Sequence, residues 1–341
     1  MRALRRAVES SWSGEPTSTG RVLALVTAPL SWLWLGATAV RNRLNDRRPG
    51  IAVAGLRVIS VGNLAVGGTG KTPFAAWIVG RLLERGERPS LILSGYGEDE
   101  VLLHRRWHPE VAVMADPRRA SALEMARAGG AAVAVLDDGF QHRAVARDLD
   151  IVLLAAEHPF PGRLLPRGPY REPAKSLLRA DAVVITRRTA TPADVGRLAA
   201  AVERIAPGAL TASVAISPHD WLDVHGRAGS PPEGPVLAVS ALARPETFAG
   251  ALRIALGEGT DIRTRGFPDH HEYTEDDMRR IRAEAEGEGR TIVATEKDAV
   301  KMARLTSTPE SVRVLRSRID WDWGEGAMHA LLDRVVGSVG A

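Results

Sequence analysis

The sequence predicts an α/β fold built on a doubly wound parallel sheet. Three observations carry that prediction. Short, continuously apolar segments recur along the chain, and amphipathic segments at helical spacing stand between them. A glycine-rich Gly-Lys-Thr loop joins the first strand to the first of these helices. Runs that are apolar throughout suit strands covered on both faces, and strands alternating with helices give parallel pairing. A smaller C-terminal α/β unit is expected to follow, and an apolar helical segment precedes both.

The expected strands are Arg57–Val61, Ser90–Leu93, Val111–Val113, Ala132–Leu136, Ile151–Leu154 and Ala182–Thr186. After the first of them, Phe74, Trp77, Ile78 and Leu82 fall on one face of a helix over Thr72–Arg85, and Gly86 is placed to end it. A second helix, Pro117–Ala128, is stopped by Gly129-Gly130. Together these elements make a nucleotide-binding domain over residues 45–222. The stretch "DVHGRAGSPPEGP" from Asp223 reads as a boundary or long turn. In the smaller unit, 223–341, strands Val236–Ser240, Thr291–Ala294 and Val312–Leu315 accompany helices Glu246–Leu256, Glu275–Ala285 and Ala327–Val336.

At 341 residues the chain can bury two cores. It has no cysteine, which excludes a disulfide framework, a thiolate zinc site and a cysteine nucleophile. The net charge of +4, from 45 basic and 41 acidic side chains, is too small an excess to argue for nucleic acid. Its placement is uneven. Val22 to Val40 runs 19 residues without a charge, with Arg21 before it and Arg41, Arg43, Arg47 and Arg48 after it. That length is just enough to span a bilayer as a helix. Pro29, Ser31, Gly36 and two threonines weaken a spanning assignment, while Trp32 and Trp34 suit the headgroup level. No small-residue cleavage site precedes the basic run, which argues against a secretory signal. Residues 1–44 are therefore expected to form a membrane-associated helix whose arginines meet anionic lipid on the cytoplasmic side. A buried core helix is the alternative.

The loop is "NLAVGGTGKTPF", Asn63 to Phe74. It departs from G-x-x-x-x-G-K-[ST] only at Ala65. Backbone N–H groups of Ala65, Val66, Gly67, Gly68, Thr69 and Gly70 can converge on phosphate oxygens at a helix N-terminus. Lys71 would reach the β- and γ-phosphates, and Thr72 would place its hydroxyl on Mg²⁺. Pro73 costs nothing in the first helical turn. The second acidic element such a site needs is "LDDGFQHR". It ends an apolar strand with Asp137-Asp138, where carboxylates face a ligand crevice and can hold Mg²⁺. On its own this stretch also reads as a strand followed by an Asp-Gly turn.

"VGNLAVGGTGKTP", "LDDGFQHR", "LLPRGPYREP", "GFPDHHEYT" and "ATEKDAVK" follow one another in order. In that combination the chain resembles the tetraacyldisaccharide 4'-kinase family of lipid A biosynthesis, from the N-terminal apolar segment to about Lys301. The resemblance implies a kinase that uses ATP and Mg²⁺ to phosphorylate the 4'-hydroxyl of an acylated glucosamine disaccharide 1-phosphate. The product would be a lipid IVA type of intermediate, made at the cytoplasmic face of the inner membrane.

The same resemblance implies the roles of further residues. Lys71 and Thr72 match the family's phosphate-loop pair, and Asp137, Asp138, Gln141 and His142 match its acidic motif. Arg171 and Glu172 match an Arg-Glu pair near the nucleotide phosphates and metal. Asp99 matches the acceptor-side aspartate and His270 its histidine partner. In the family a "SRGYGG" motif stands well before "GDEP"; here "SGYGEDEVLL" brings them together, and Asp99 is placed by DE-x-x-L. Thr295, Lys297 and Asp298 read either as a nucleoside-contacting loop or as a helix cap. Two rival functions stay open on the residues alone. One is a soluble kinase of a small sugar or alcohol, and the other is a nucleotide-hydrolysing switch or metallochaperone.

Overall fold

In the computed structural model, which describes residues 12, 18–95, 98–242, 245–306 and 308–337, the apolar stretch from Ser18 to Asp46 forms two helices, not one. α1 (Ser18–Val26) and α2 (Ala28–Asp46) meet at a bend of 52°. Pro29 lies in the first turn of α2, where its missing N–H and fixed ring end the preceding helix. Among the described residues no single helix is long and apolar enough to cross a membrane, although the bent pair passes that test together. A buried core helix is not what forms either, because Val22, Leu25, Val26, Leu30, Trp32 and Leu33 are exposed. Residues 1–11 and 13–17 of this segment lie outside the described residues, as do Tyr96-Gly97 of "SGYGEDEVLL".

The chain then runs through β1 (Arg57–Asn63), α3 (Lys71–Glu84), β2 (Pro89–Leu93), α4 (Glu98–Trp107), β3 (Ala112–Ala115), α5 (Arg119–Ala128), β4 (Val133–Asp137) and β5 (Leu149–Ala155). It continues through β6 (Ala182–Arg187), α6 (Pro192–Ile205), β7 (Leu210–Asp223), β8 (Val236–Ser240), α7 (Pro245–Leu256) and β9 (Ile262–Gly266). Last come α8 (Glu275–Gly287), β10 (Thr291–Thr295), α9 (Glu296–Met302), β11 (Val312–Trp323) and α10 (Glu325–Gly337).

Two compact units result. The first comprises Met1–Ser94, Asp116–Val214 and Trp321–Ala341. Its strands lie in the order β2-β4-β1-β5-β6, all parallel. β1 is central and buried from Val58 to Asn63, as an apolar strand covered on both faces must be. α3 turns Phe74, Ile78, Val79 and Leu82 inward. Val152, Leu154, Val183 and Ile185 pack with Leu198 and Val202 of α6. The register Val61↔Asp137 sets the C-terminal ends of β1 and β4 side by side, so the loop after β1 emerges beside Asp137-Asp138.

The second unit comprises Gly95–Ala115 and Ala215–Asp320. Its parallel strands run β11-β10-β8-β9. Leu237, Val239, Ile292, Ala294, Val312 and Val314 bury against Met278 and Ile281 of α8. Val236, Ala238 and Val293 bury against Phe248 and Leu252 of α7.

The α/β class with parallel sheets is as the sequence predicts. Several elements are additional. α4 carries acidic residues in its first turn and basic ones in its last, the charge order a helix dipole favours. α6 opens with a Thr191/Asp194 capping box and Pro192. β11 continues to Trp323, well past Leu315, through an alternating polar and apolar tail. The edge strand β9 is half-exposed and carries two arginines, so it presents no apolar run to read.

Candidate active site

Between β1 and α3 the glycine-rich loop begins pinned and ends open. Arg171 N–H donates to Leu64 O (2.7 Å), Val66 N–H donates to Pro169 O (2.8 Å), and Ala65 bridges Tyr170. Ala65 is buried in this pairing, so the residue that replaces glycine sits where extended backbone and a small side chain suffice. The chain then turns at Gly67 (φ +116°) and Gly70 (φ +84°), conformations that a Cβ obstructs. A Cβ on Gly67 or Gly68 would meet no protein atom within 4 Å, which leaves that flank of the loop open to a ligand.

Three side chains brace the loop from behind. Thr186 Oγ1 donates to Thr69 O (2.9 Å), Arg188 Nη1 donates to Gly68 O (3.1 Å), and Asn63 Nδ2 donates to Thr69 Oγ1 (2.9 Å). α3 starts at Lys71, so the N–H groups of its first turn have no partner within the helix. Lys71 and Thr72 stand in that turn, both half-buried.

Asp138 follows β4 in the left-handed conformation, φ +58°; among the described residues His270, also at +58°, is the other non-glycine residue with positive φ. Such strained backbones cluster at functional sites. Lys71 Nζ lies 3.5 Å from Asp138 Oδ1, and Arg171 Nη1 lies 3.3 and 3.1 Å from its two oxygens. Burial raises the Asp138 carboxyl, but the charges of Lys71 and Arg171 outweigh it and hold the group below the ordinary carboxylate range. Asp137 is buried beside Arg119, whose guanidinium donates to Asp137 O (3.0 Å) and also to Leu93 O. Gln141 Nε2 donates to Asn63 O (2.8 Å). Burial and the charge of Arg119 lower the His142 imidazole.

Glu172 is tied to the N-terminal helix. Asn42 Nδ2 donates to its Oε2 (3.1 Å), Arg179 Nη2 reaches the same oxygen (3.0 Å), and Arg41 lies 3.5 Å from Oε1. Next to it, Trp34 Nε1 donates to Arg171 O (2.9 Å). α2 therefore grips the segment that carries Arg171.

The Thr72 hydroxyl and the Asp137 and Asp138 carboxylates are hard oxygen donors of the kind magnesium takes. Among the described residues no three His, Cys, Asp or Glu side chains form a protein-only metal set. That donor chemistry fits a magnesium ion which takes the rest of its shell from nucleotide phosphates and water.

The second unit holds its own cluster. Asp99, in the first turn of α4, has a side chain only 1% exposed. His270 Nδ1 lies 3.1 Å from each of its carboxylate oxygens. Lys301 Nζ lies 3.3 Å from Oδ2, and Lys297 Nζ lies 3.7 Å from the same atom. One helical turn apart on α9, the two lysines share a face. Burial pushes Asp99 up, but the His270 hydrogen bond and the charges of Lys297, His270 and Lys301 hold it well below the usual carboxylate range. The hydrogen bond to Asp99 in turn raises His270 above the ordinary histidine value, against its partial burial.

A family model described as Tetraacyldisaccharide-1-P 4'-kinase (LpxK) matches residues 23–101 and 96–337. The chain belongs to the tetraacyldisaccharide 4'-kinase family. A relative of that name from Anaeromyxobacter sp. (strain K) is 38% identical, over 92% of this chain and 90% of its own. Another, from Chlorobium chlorochromatii, is 33% identical over 86% of each. A crystal structure of LpxK from Aquifex aeolicus, solved in complex with ATP, superposes with a TM-score of 0.71 at 27% identity. It covers 92% of this chain and 99% of its own.

Within this family member the structure joins Lys71, Asp138 and Arg171 in one unit and Asp99 with His270 in the other. The "ATEKDAVK" motif divides. Thr295 caps α9 by accepting from Asp298 N–H (3.1 Å), and Asp298 Oδ1 takes Ala241 N–H and the Tyr273 hydroxyl (both 3.1 Å). These contacts form the helix cap and tie it to Ala241, just after β8, and to Tyr273. Lys297 and Lys301, by contrast, turn to Asp99. Thr186, Arg188 and Arg119 also emerge only here, since no motif marks residues that act on backbone carbonyls.

Proposed function

We propose that this chain is an ATP-dependent kinase that transfers the γ-phosphate to the 4'-hydroxyl of a tetraacyldisaccharide 1-phosphate, yielding lipid IVA. The convergence of Lys71 and Arg171 on Asp138, beside a glycine loop at a helix N-terminus, carries this reading. Phosphoryl transfer leans on positioned cations and backbone dipoles, because its transition state spreads charge over phosphate oxygens. Lys71 neutralises the β- and γ-phosphates. Arg171 clamps phosphate oxygens, with Asp138 holding both cations in place until nucleotide arrives. Thr72 and Asp137, together with Asp138, would hold Mg²⁺, which would supply positive charge against that on the phosphate oxygens. The Asp99–His270 pair receives the proton that the acceptor hydroxyl must lose, since an alcohol is a weak nucleophile.

The N-terminal helices supply the lipid side. Leu30, Leu33, Trp34, Ala37, Leu165 and Pro166 line an apolar cavity of about 500 Å³. Exposed Val22, Leu25, Trp32 and Leu33, followed by Arg41, Arg43, Arg47 and Arg48, suit a helix lying in an anionic membrane surface. We place the enzyme at the cytoplasmic face of the inner membrane on this basis.

The test is direct. The full chain is incubated with γ-labelled ATP, Mg²⁺ and the disaccharide 1-phosphate in mixed micelles. Labelled glycolipid is expected. Nucleotide hydrolysis without labelled glycolipid would favour the switch reading, and label on a small free sugar would favour a soluble kinase.

A further inference from the structure

α2 makes more polar contacts than a lipid anchor needs, and most of them end on one short segment. We propose that Trp34 and Asn42 are positioning residues of the phosphoryl-transfer site, holding residues 169–172 so that Arg171 is aimed at the nucleotide phosphates. The role of Arg171 comes from the kinase reading, on which this inference rests. α2 thereby has a second task beside lipid.

The helix has two faces. Trp32, Leu33 and Val40 are exposed and form the apolar surface that lipid would cover. Ser31, Trp34, Thr38 and Asn42 recur at spacings of three and four, which sets them along one stripe of a helix. That stripe faces the protein. Thr38 is buried, and Ser31 Oγ donates to Leu164 O (3.2 Å) while accepting the Arg167 N–H (3.2 Å). Trp34 Nε1 donates to Arg171 O (2.9 Å), and Asn42 Nδ2 donates to Glu172 Oε2 (3.1 Å). Arg143, from the loop after β4, donates to Asn42 O (3.2 Å) and pairs with Asp46, which fixes the C-terminal end of the helix too.

The held segment is also a wall of the phosphate loop. Arg171 N–H donates to Leu64 O, Val66 N–H donates to Pro169 O, and Ala65 bridges Tyr170. Residues 169–172 are thus tied both to the loop backbone and to α2. Two adjacent side chains divide between these partners. Arg171 sends its guanidinium to Asp138 (3.1 Å), and Glu172 sends its carboxylate to α2. Glu172 is wholly buried, with Oε2 taken by Asn42 and Arg179 (3.0 Å) and Oε1 facing Arg41 (3.5 Å). Burial raises this carboxyl, but the Arg179 charge and the hydrogen bonds of Ser176, Asn42 and Arg179 hold it below the ordinary range. A buried ion is costly to unpair, so Glu172 keeps the peptide beside Arg171 in one place.

Phosphoryl transfer depends on such a hold, because its rate comes from placing charge and a small misplacement is costly. A long arginine side chain loses much rotamer freedom on binding, and it reaches the phosphates reproducibly only from a fixed backbone. Trp34 fixes that backbone at the Arg171 carbonyl itself. Asn42 does so one residue on, through Glu172. Both act through Arg171.

The experiment uses the full chain and reads three quantities: the dissociation constant of ATP, kcat and KM for glycolipid phosphorylation in mixed micelles, and sedimentation with phosphatidylglycerol vesicles. Trp34→Phe keeps an apolar ring but removes the Nε1 donor. It should weaken ATP binding about fivefold, as the loss of one hydrogen bond does, and lower kcat. Sedimentation and the KM for glycolipid should hold. Asn42→Ala should behave alike. In an Arg171→Ala background the effect of Trp34→Phe on ATP binding should vanish, a coupling that simple packing of α2 would not produce. Sedimentation that falls in step with kcat would overturn the proposal and leave α2 an anchor alone. So would an unaltered ATP dissociation constant in Trp34→Phe, or an effect that adds fully to that of Arg171→Ala. ATP binding needs no transfer. A wild type that labels no glycolipid while the variants show this coupling therefore supports the positioning role and counts against the kinase reading alone.

Discussion

Nζ of Lys301 lies 3.3 Å from Oδ2 of Asp99, and both side chains are almost wholly buried within one unit. A buried pair behaves asymmetrically, because losing one partner strands the other's charge. Asp99→Ala should therefore destabilise that unit by about 3–5 kcal/mol, and adding Lys301→Met should restore part of it. Urea unfolding of the single and double variants measures this, and equal midpoints in all three would refute it. The pH sign follows from the depressed Asp99 carboxyl. Its contribution is whole above the unfolded value of about 3.9 and is lost as pH falls through the folded value, so the variant's deficit should shrink only in strong acid.

Lys71→Ala should reduce kcat by about 10²–10³-fold, because it removes the cation at the transferred phosphoryl group. Thermal unfolding should barely move, since Lys71 is half-buried and its partner Asp138 keeps Arg171. Full activity in this variant would mean that the loop does not hold the nucleotide.

Arg171 and Asp138 touch through two hydrogen bonds. A double-mutant cycle with Arg171→Ala and Asp138→Ala, read by the dissociation constant of ATP, should show a coupling of about 0.5–3 kcal/mol. Additive effects would separate the two residues functionally.

Thr186→Val keeps the shape of the side chain but strips the hydroxyl that holds Thr69 O. It leaves a buried carbonyl without that donor, which costs about 1–3 kcal/mol. ATP KM should rise severalfold with kcat less affected, as measured by steady-state kinetics. An unchanged KM would show that the brace does not shape the loop.

Replacing exposed Trp32 and Leu33 with serine should lower sedimentation with anionic vesicles while leaving the dissociation constant of ATP unchanged. Residual binding should weaken further at high salt, because the arginines after Val40 act through screened charge. Binding that survives both changes would move the lipid surface elsewhere.

By itself the sequence determined the α/β class, the places of the buried strands along the chain and the phosphate loop, because apolar runs, helical spacing and Gly-Lys-Thr are local signals. The pairing of Asp99 with His270 was legible too, though only through family resemblance; nothing in spacing joins residues 171 positions apart. The bend at Pro29 was readable as a weakness in the helix, but its outcome was not.

Only the tertiary structure decided the rest. It turned Lys297 and Lys301 to Asp99 while leaving Thr295 and Asp298 as caps, since the direction of each side chain depends on how α9 packs against α4. It tied Glu172 to Asn42, Arg41 and Arg179 and set Thr186 and Arg188 on loop carbonyls. Those contacts join distant segments through backbone atoms and buried charges. A one-dimensional pattern does not encode them, because their partners are selected by burial in three dimensions.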